Sequence, residues 1–261
     1  MYGFALRPRW VLSHVFVVAL VGAMIWAGFW QLQRLDERKS ANERVVGRTE
    51  LDIEPIDDVV NGITLDSGDD VEFRRAAATG TYLTGDQVVV VNRSLDGAAG
   101  AWVLTPLMLD DGTALVVNRG WIPFSLQQTD DRSSVDPPAG RVEVEGLVMA
   151  TQSRSGLGAG DPDVADQLAR VDLAGYGELV DYGLRPVYLQ LESQLPASGP
   201  GLPARIPRPG LSNGPHLSYA VQWFIFATIG IIGYPLILRR AARASAGTRS
   251  LPADESDLDA A

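Results

Sequence analysis

YAVQWFIFATIGIIGYPLIL, residues 219–238, is a run of twenty residues without a formal charge. At about 1.5 Å rise per residue, that length lets a helix cross the roughly 30 Å hydrocarbon core of a bilayer. The head of the run carries Tyr219, Gln222 and Trp223, residues that settle where lipid meets water. Immediately before it stands His216, one of only two histidines in 261 residues. At about 100° per residue, His216, Tyr219, Ala220 and Trp223 fall on one helical face. A histidine there is either a ligand or an interfacial residue.

Outward from this run, residues 10–30 form a second charge-free apolar stretch. The chain divides into an N-terminal tail (1–9), a first span (10–30), a helical extension (31–47), a polar domain (48–195), a Pro- and Gly-rich connector (196–215), a second span (216–238) and an acidic tail (239–261). Arg7 and Arg9 precede the first span as in a secretory signal. Its apolar stretch exceeds the about 7–15 residues of a signal's apolar region, and no Ala-x-Ala site follows, so it reads as an uncleaved anchor. Two spans put both termini on one side. Arg239, Arg240, Arg243 and Arg249 favour a cytoplasmic C-terminus, whereas Arg34, Arg38, Lys39, Arg44 and Arg48 outnumber Arg7 and Arg9 and pull the other way. Long domains translocate largely regardless of charge, so the expectation is two cytoplasmic termini and an extracytoplasmic central domain.

Composition closes off several classes. Residues 40–215 hold 13 arginines, no lysine and 26 acidic residues. Nucleic acid, which needs a basic footprint, is thereby excluded as a partner. The acidic surface suits solvation, or a basic partner such as a small electron carrier. Without cysteine there is no disulfide, iron–sulfur cluster or thiolate metal site. No Ser-His-Asp constellation can be assembled, because His14 and His216 lie in or beside the spans. Gly156-Leu157-Gly158-Ala159-Gly160 lacks the Lys-Ser/Thr that a phosphate loop requires. No catalytic residue, no metal site and no enzyme activity is expected. His14 and His216 belong to opposite membrane faces, about 25–30 Å apart, and cannot share one iron.

Residues 75–83, 87–95, 101–109 and 113–122 read as strands, with Thr84-Gly85-Asp86 and Asp110-Asp111-Gly112 suited to tight hairpins because glycine supplies the positive φ such turns require. In residues 141–148, Val142, Val144 and Val148 alternate with Glu143 and Glu145; Val187, Leu189 and Leu191 alternate with Tyr188 and Gln190. A short helix is expected near residues 56–60, and surface loops at 127–140 and 153–162. The predicted fold is two transmembrane α-helices flanking a β-rich extracytoplasmic domain, an antiparallel barrel or sandwich. On the first span, Ala19, Ala23 and Ala27 recur every fourth residue, a face that admits close approach of the second span or of a different protein and is equally compatible with a plain lipid-facing helix. Trp30 and Arg34, one turn apart, are placed to stack, with Gln31 facing elsewhere and Gly47 a plausible helix stop.

Four stretches resemble the Surfeit locus protein 1 family of cytochrome c oxidase assembly factors. They are Gly28-Phe29-Trp30-Gln31-Leu32-Gln33-Arg34-Leu35 with Arg38-Lys39; Gly80-x-Tyr82 with Val103-Leu104-Thr105-Pro106-Leu107; Val116-Val117-Asn118-Arg119-Gly120-Trp121-Ile122-Pro123; and His216-Leu217-Ser218-Tyr219-Ala220-Val221-Gln222-Trp223-Phe224. One departure stands out: family members commonly have Asn and His adjacent, whereas Asn213-Gly214-Pro215-His216 separates them here. The resemblance implies a bacterial plasma-membrane protein that helps mature the haem–copper oxidase, with haem a delivered to the catalytic subunit as a transient cofactor. It also leaves room for a permanent accessory subunit of the oxidase or a respiratory supercomplex. By the same resemblance His216 is the candidate haem a ligand, with Tyr219, Trp223 and Phe224 able to shelter a macrocycle. Arg119 could pair with a haem propionate or a partner's carboxylate. The alternative for Asn118-Arg119-Gly120-Trp121 is structural: Arg119 satisfying carbonyls at a strand end, Gly120 permitting a bulge and Trp121 capping the barrel against lipid.

Overall fold

The structure is a computed structural model that describes residues 6–129, 133–152, 166–199 and 201–247, with side chains to residue 244. The Gly-rich loop at 153–162, residues 1–5 of the N-terminal tail, Arg249 and the acidic tail beyond 247 lie outside the described residues. The chain separates into two compact units, Met1–Glu43 with Leu211–Ala261, and Arg44–Gly210.

Helix α1 (Pro8–Thr49) is continuous, so the apolar span and its polar extension are one element. Gly47 does not stop it: the helix continues to Thr49, whose hydroxyl donates back to the carbonyls of Val45 and Val46. A single exposed glycine costs a helix only about 1 kcal/mol.

The second unit is built on β1 (Glu54–Pro55), α2 (Ile56–Val59), β2 (Arg75–Tyr82), β3 (Val88–Leu95), β4 (Ala98–Met108), β5 (Ala114–Pro123), α3 (Phe124–Gln127), β6 (Arg141–Ala150), β7 (Gln167–Leu168), α4 (Leu173–Gly177) and β8 (Leu184–Leu195). Its strands form one sheet in the order β1-β2-β6-β8-β5-β4-β3-β7, and β2 also pairs with β4 through Thr81↔Met108 and Tyr82↔Leu107. The sheet is mixed, which corrects the purely antiparallel expectation: β8 runs parallel to β5, with Val116↔Tyr188 and Val117↔Leu189 in register. A parallel pair needs a crossover of at least about a dozen residues. The chain between β5 and β8 provides one, carrying β6 and α4.

Asp110-Asp111-Gly112 does turn β4 into β5, with the Asp111 carboxylate accepting the Thr113 amide (2.9 Å) and hydroxyl (2.8 Å). Thr84-Gly85-Asp86 is not a hairpin. It forms a single 3-10 turn, and β3 pairs with β4 and β7, never with β2. The hairpin partner of β3 is reached through Asp96-Gly97, both at positive φ.

Strand β5 explains why the domain coheres. Its residues are buried on both faces: Leu115 and Val117 join the cluster of Val142, Val144, Val187 and Leu189, while Val116 packs with Val90, Leu104 and Tyr188. A strand covered on both sides reads as a continuous apolar run rather than an alternating one. The alternation read at 187–191 likewise hides a two-sided strand, since Tyr188 is buried in the second cluster and Gln190 is buried as well.

The connector is also more ordered than a spacer. Ala204 makes a two-way bridge with Trp121 (both N···O 2.8 Å), Arg205 Nη1 donates to the Arg119 carbonyl (2.9 Å), and Leu202 packs on the cluster around Val103 and Ile122. Residues 202–205 are a strap along β5.

Helix α5 (His216–Gly247) pairs with α1 in the first unit. Both are long and apolar enough to cross a membrane. Gly28 is buried beneath Phe224, whose ring atoms lie 2.7–3.1 Å from where a Cβ at residue 28 would stand, and Gly230 meets Val21. Ala220 and Ala227 are buried on the α5 side. The alanine stripe does not as a whole face α5: Ala19 and Ala23 are exposed and Ala27 is half-buried, and glycine at 28 gives the closer approach.

Candidate functional site

Two sets of motif residues occupy the two units, and each is described within its own unit. The first surrounds His216 at the start of α5. Its Nδ1 lies 2.8 Å from Oε1 of Gln31 on α1. Gln31 is three residues past Gly28, so the glycine that admits Phe224 also brings this turn of α1 against α5. On the other edge of the imidazole, Gly214 has φ +65°, and a Cβ there would stand 3.2 Å from Cδ2 and 3.3 Å from Nε2 of His216. Asn213 turns to α1 instead, its Oδ1 accepting Nδ2 of Asn42 at 2.9 Å.

The surrounding aromatics are unequally available. Tyr219 and Gln222 are exposed, and Trp223 is half-buried with its ring T-shaped to Phe226 at 6.2 Å. Phe224 is spoken for by Gly28 and by a T-shaped contact with Phe29 at 5.4 Å. Trp30 sits under the Arg34 guanidinium at 5.6 Å, while Arg34 also pairs with Glu37 at 2.7 Å, so Gln31 does face a different way from the stacked pair. His14, farther along the same helix, contacts Tyr234 (Nδ1···OH 2.5 Å), whose hydroxyl donates to Ser13 (3.0 Å). The two histidines therefore serve separate clusters.

The second set lies on β5. The β4 register pairs Val103 with Gly120 and Leu104 with Asn118, leaving Arg119 as the extra residue of a bulge. Gly120, at φ +138°, makes the bulge possible, and a Cβ there would stand 2.4 Å from the Ala204 carbonyl oxygen of the strap. The bulge sends Arg119 into the interior, where it is 1% exposed. Nη1 donates to the Val135 carbonyl (2.7 Å) and Gln87 Oε1 (3.2 Å), and the guanidinium lies 5.5 Å from the Tyr82 ring. Nε and Nη2 are buried with no hydrogen-bond partner among the described residues. Burial pulls the Arg119 pKa down to about 10 and pushes the neighbouring Tyr82 hydroxyl up.

Trp121 is buried, its indole N–H donating to the Arg93 carbonyl (3.3 Å), so it is not a lipid-facing cap. Asn118 is buried with Oδ1 accepting the Gly120 amide (3.3 Å), and half-buried Pro123 closes the strand opposite Gly100. Among the described residues, no three His, Cys, Asp or Glu side chains gather as a metal site.

The SURF1 family model matches residues 18–228, a range that takes in both motif sets. The chain belongs to the SURF1 family. An uncharacterized SURF1-like protein of Mycobacterium tuberculosis is 30% identical over 238 residues, covering 88% of this chain and 83% of that one. A SURF1-like protein of Rickettsia bellii is 25% identical over 235 residues, covering 87% and 91%. The cytochrome oxidase assembly protein SHY1 of Saccharomyces cerevisiae is 29% identical over 124 residues, covering 47% of this chain and 31% of the yeast protein.

Sequence reading alone missed the pairing of Gln31 with His216 and the Gly214 gap beside Nε2. A signal for the first was present: residue 31 directly follows one apolar run and residue 216 directly precedes the other, the two ends that an antiparallel helix pair brings together. The strap carried no such signal, because its ordering comes from backbone bonds to β5.

Proposed function

We propose that this SURF1-family protein assists the assembly of the haem–copper cytochrome c oxidase from a bacterial membrane. The observation that carries the proposal is family membership together with similarity to a yeast protein whose name is cytochrome oxidase assembly protein. Two apolar helices anchor it as a two-pass protein, both termini in the cytoplasm and the sheet domain outside. The sheet domain is read as a small, partly closed barrel, because the row β2-β6-β8-β5-β4 returns to β2.

Within that role His216 is proposed to hold haem a transiently. The residues fit such a group in two respects: the imidazole is only partly buried, and residue 214 is a glycine, where any side chain would bring its Cβ 3.3 Å from Nε2. Haem a, when bound, supplies an iron that accepts an imidazole nitrogen. The protein's contribution is to place that nitrogen at the head of α5, beside exposed Tyr219 and half-buried Trp223. Arg119 is buried in the sheet domain, and its hydrogen bonds to Gln87 and Val135 support the structural alternative over a propionate contact.

The test is capture of the epitope-tagged chain from native membranes, followed by quantitative mass spectrometry. Sub-stoichiometric recovery of the oxidase catalytic subunit, with the chain missing from mature oxidase, is expected of an assembly factor. Equimolar recovery with active oxidase would convert it to an accessory subunit, and absence of oxidase subunits would remove the oxidase role.

A further inference from the structure

Neutral imidazole carries one N–H and one lone pair, and the hydrogen bond made by one nitrogen decides which electron pair the other presents. In ligand sites of this kind, the outer partner fixes both tautomer and ring orientation. His216 has such a partner in Gln31, whose amide oxygen stands 2.8 Å from Nδ1. A carbonyl oxygen only accepts, so Nδ1 carries the proton and Nε2 the lone pair.

The geometry points to Gln31 as the residue that positions His216 for ligation through Nε2, with Gly214 keeping that nitrogen open. The inference rests on the reading of His216 as a haem-facing imidazole, and adds to it which nitrogen is used and which two residues arrange it. Gln31 is suited to the task because it comes from a different helix, so the ring orientation is set by the α1–α5 packing at Gly28 and Phe224 rather than by the local chain. Gly214 acts from the other side. A side chain at 214 would place its Cβ 3.3 Å from Nε2, where an approaching iron or macrocycle edge has to pass. Asn213, held by Asn42, leaves this path free and needs no adjacency to the histidine. The ligand class is a metalloporphyrin, a planar group whose metal takes one nitrogen from the protein while its faces lie against apolar surface.

The chain's two histidines make the test tractable. The full-length protein, carrying ¹⁵N-histidine in nanodiscs, is examined by long-range ¹H–¹⁵N correlation at a pH where the ring is neutral, with His216→Ala assigning the signals. Expected is a His216 ring protonated at Nδ1, shifting to a tautomer mixture in Gln31→Leu and restored in Gln31→Glu, which keeps an acceptor oxygen. Hemin titration is the second readout. Gln31→Leu is expected to weaken His216-dependent binding about tenfold or more. Gly214→Asn, a residue tolerant of positive φ, is expected to weaken binding while leaving the tautomer unchanged. A proton on Nε2 in the wild type, the state in which the Gln31 amide donates to Nδ1, overturns the inference; so does an unchanged tautomer in Gln31→Leu. Hemin binding indifferent to His216→Ala overturns the haem reading and the role of Gly214, while the tautomer arm still decides Gln31.

Discussion

Individual residues in the Asn118–Trp121 stretch act mainly on stability. Gly120 combines φ +138° with a would-be Cβ 2.4 Å from the Ala204 oxygen, so Gly120→Ala suffers both backbone strain and a clash with the strap. It is expected to cost about 3 kcal/mol or more. Gly112→Ala, also at positive φ but with nothing within 4 Å, should cost only about 1 kcal/mol. Urea unfolding of the solubilised chain checks the difference, and equal losses would refute the clash. Buried tyrosines set the alkaline limit. Burial raises the pKa values of Tyr82, Tyr176, Tyr182 and Tyr188, so these groups stay protonated when folded and ionise near their ordinary value of about 10 when unfolded. Their contribution is complete below about pH 10 and lost as pH rises toward the folded values. Arg93, Arg119 and Arg205, all lowered by burial, work in the opposite direction, but they are three groups against four, and of the three only Arg119 is lowered far, to about 10. The domain is therefore expected to unfold above about pH 10, with ionisation of these four tyrosines accompanying the loss of circular dichroism; ionisation of these four while the domain is still folded would contradict this.

Among the elements, strands were legible wherever residues declared a turn or an alternation, as in β4–β5 around Asp110-Asp111-Gly112 and in Val142, Val144 of β6. What escaped was pairing. Nothing in residues 184–195 says that they lie parallel to β5, because register between distant strands is decided by the packing of both faces together. Helix packing was legible only as alternatives for a related reason: alanines at four-residue spacing suit a contact face or a lipid-facing one, and the contact with α5 uses Gly28, Val21 and Gly230. Because the chain lacks cysteine, this face can be tested cleanly. Val21→Cys with Gly230→Cys is expected to form a disulfide on mild oxidation, since a Cβ at 230 stands 2.9 Å from Val21 Cγ2. Ala19→Cys with Gly230→Cys should not, and adding Gly28→Leu to the first pair should cut its yield severalfold.

For the molecule as a whole, two apolar runs long enough to cross a membrane and a net excess of acid in the polar domain were plain from the sequence, as was the family from its four motif stretches. The site was legible only in part: His216 announced itself by rarity and position, whereas its partner Gln31 is separated from it by 185 residues and is brought near by folding. The role proposed for the chain is service in oxidase assembly. The measurement that bears on it most directly is deletion of the gene, followed by reduced-minus-oxidised haem spectra and oxidase activity of the membranes, with plasmid complementation. The expected result is a severalfold fall in haem a signal and oxidase activity, restored by the wild-type gene. Membranes with normal haem a content and normal oxidase activity would contradict the account.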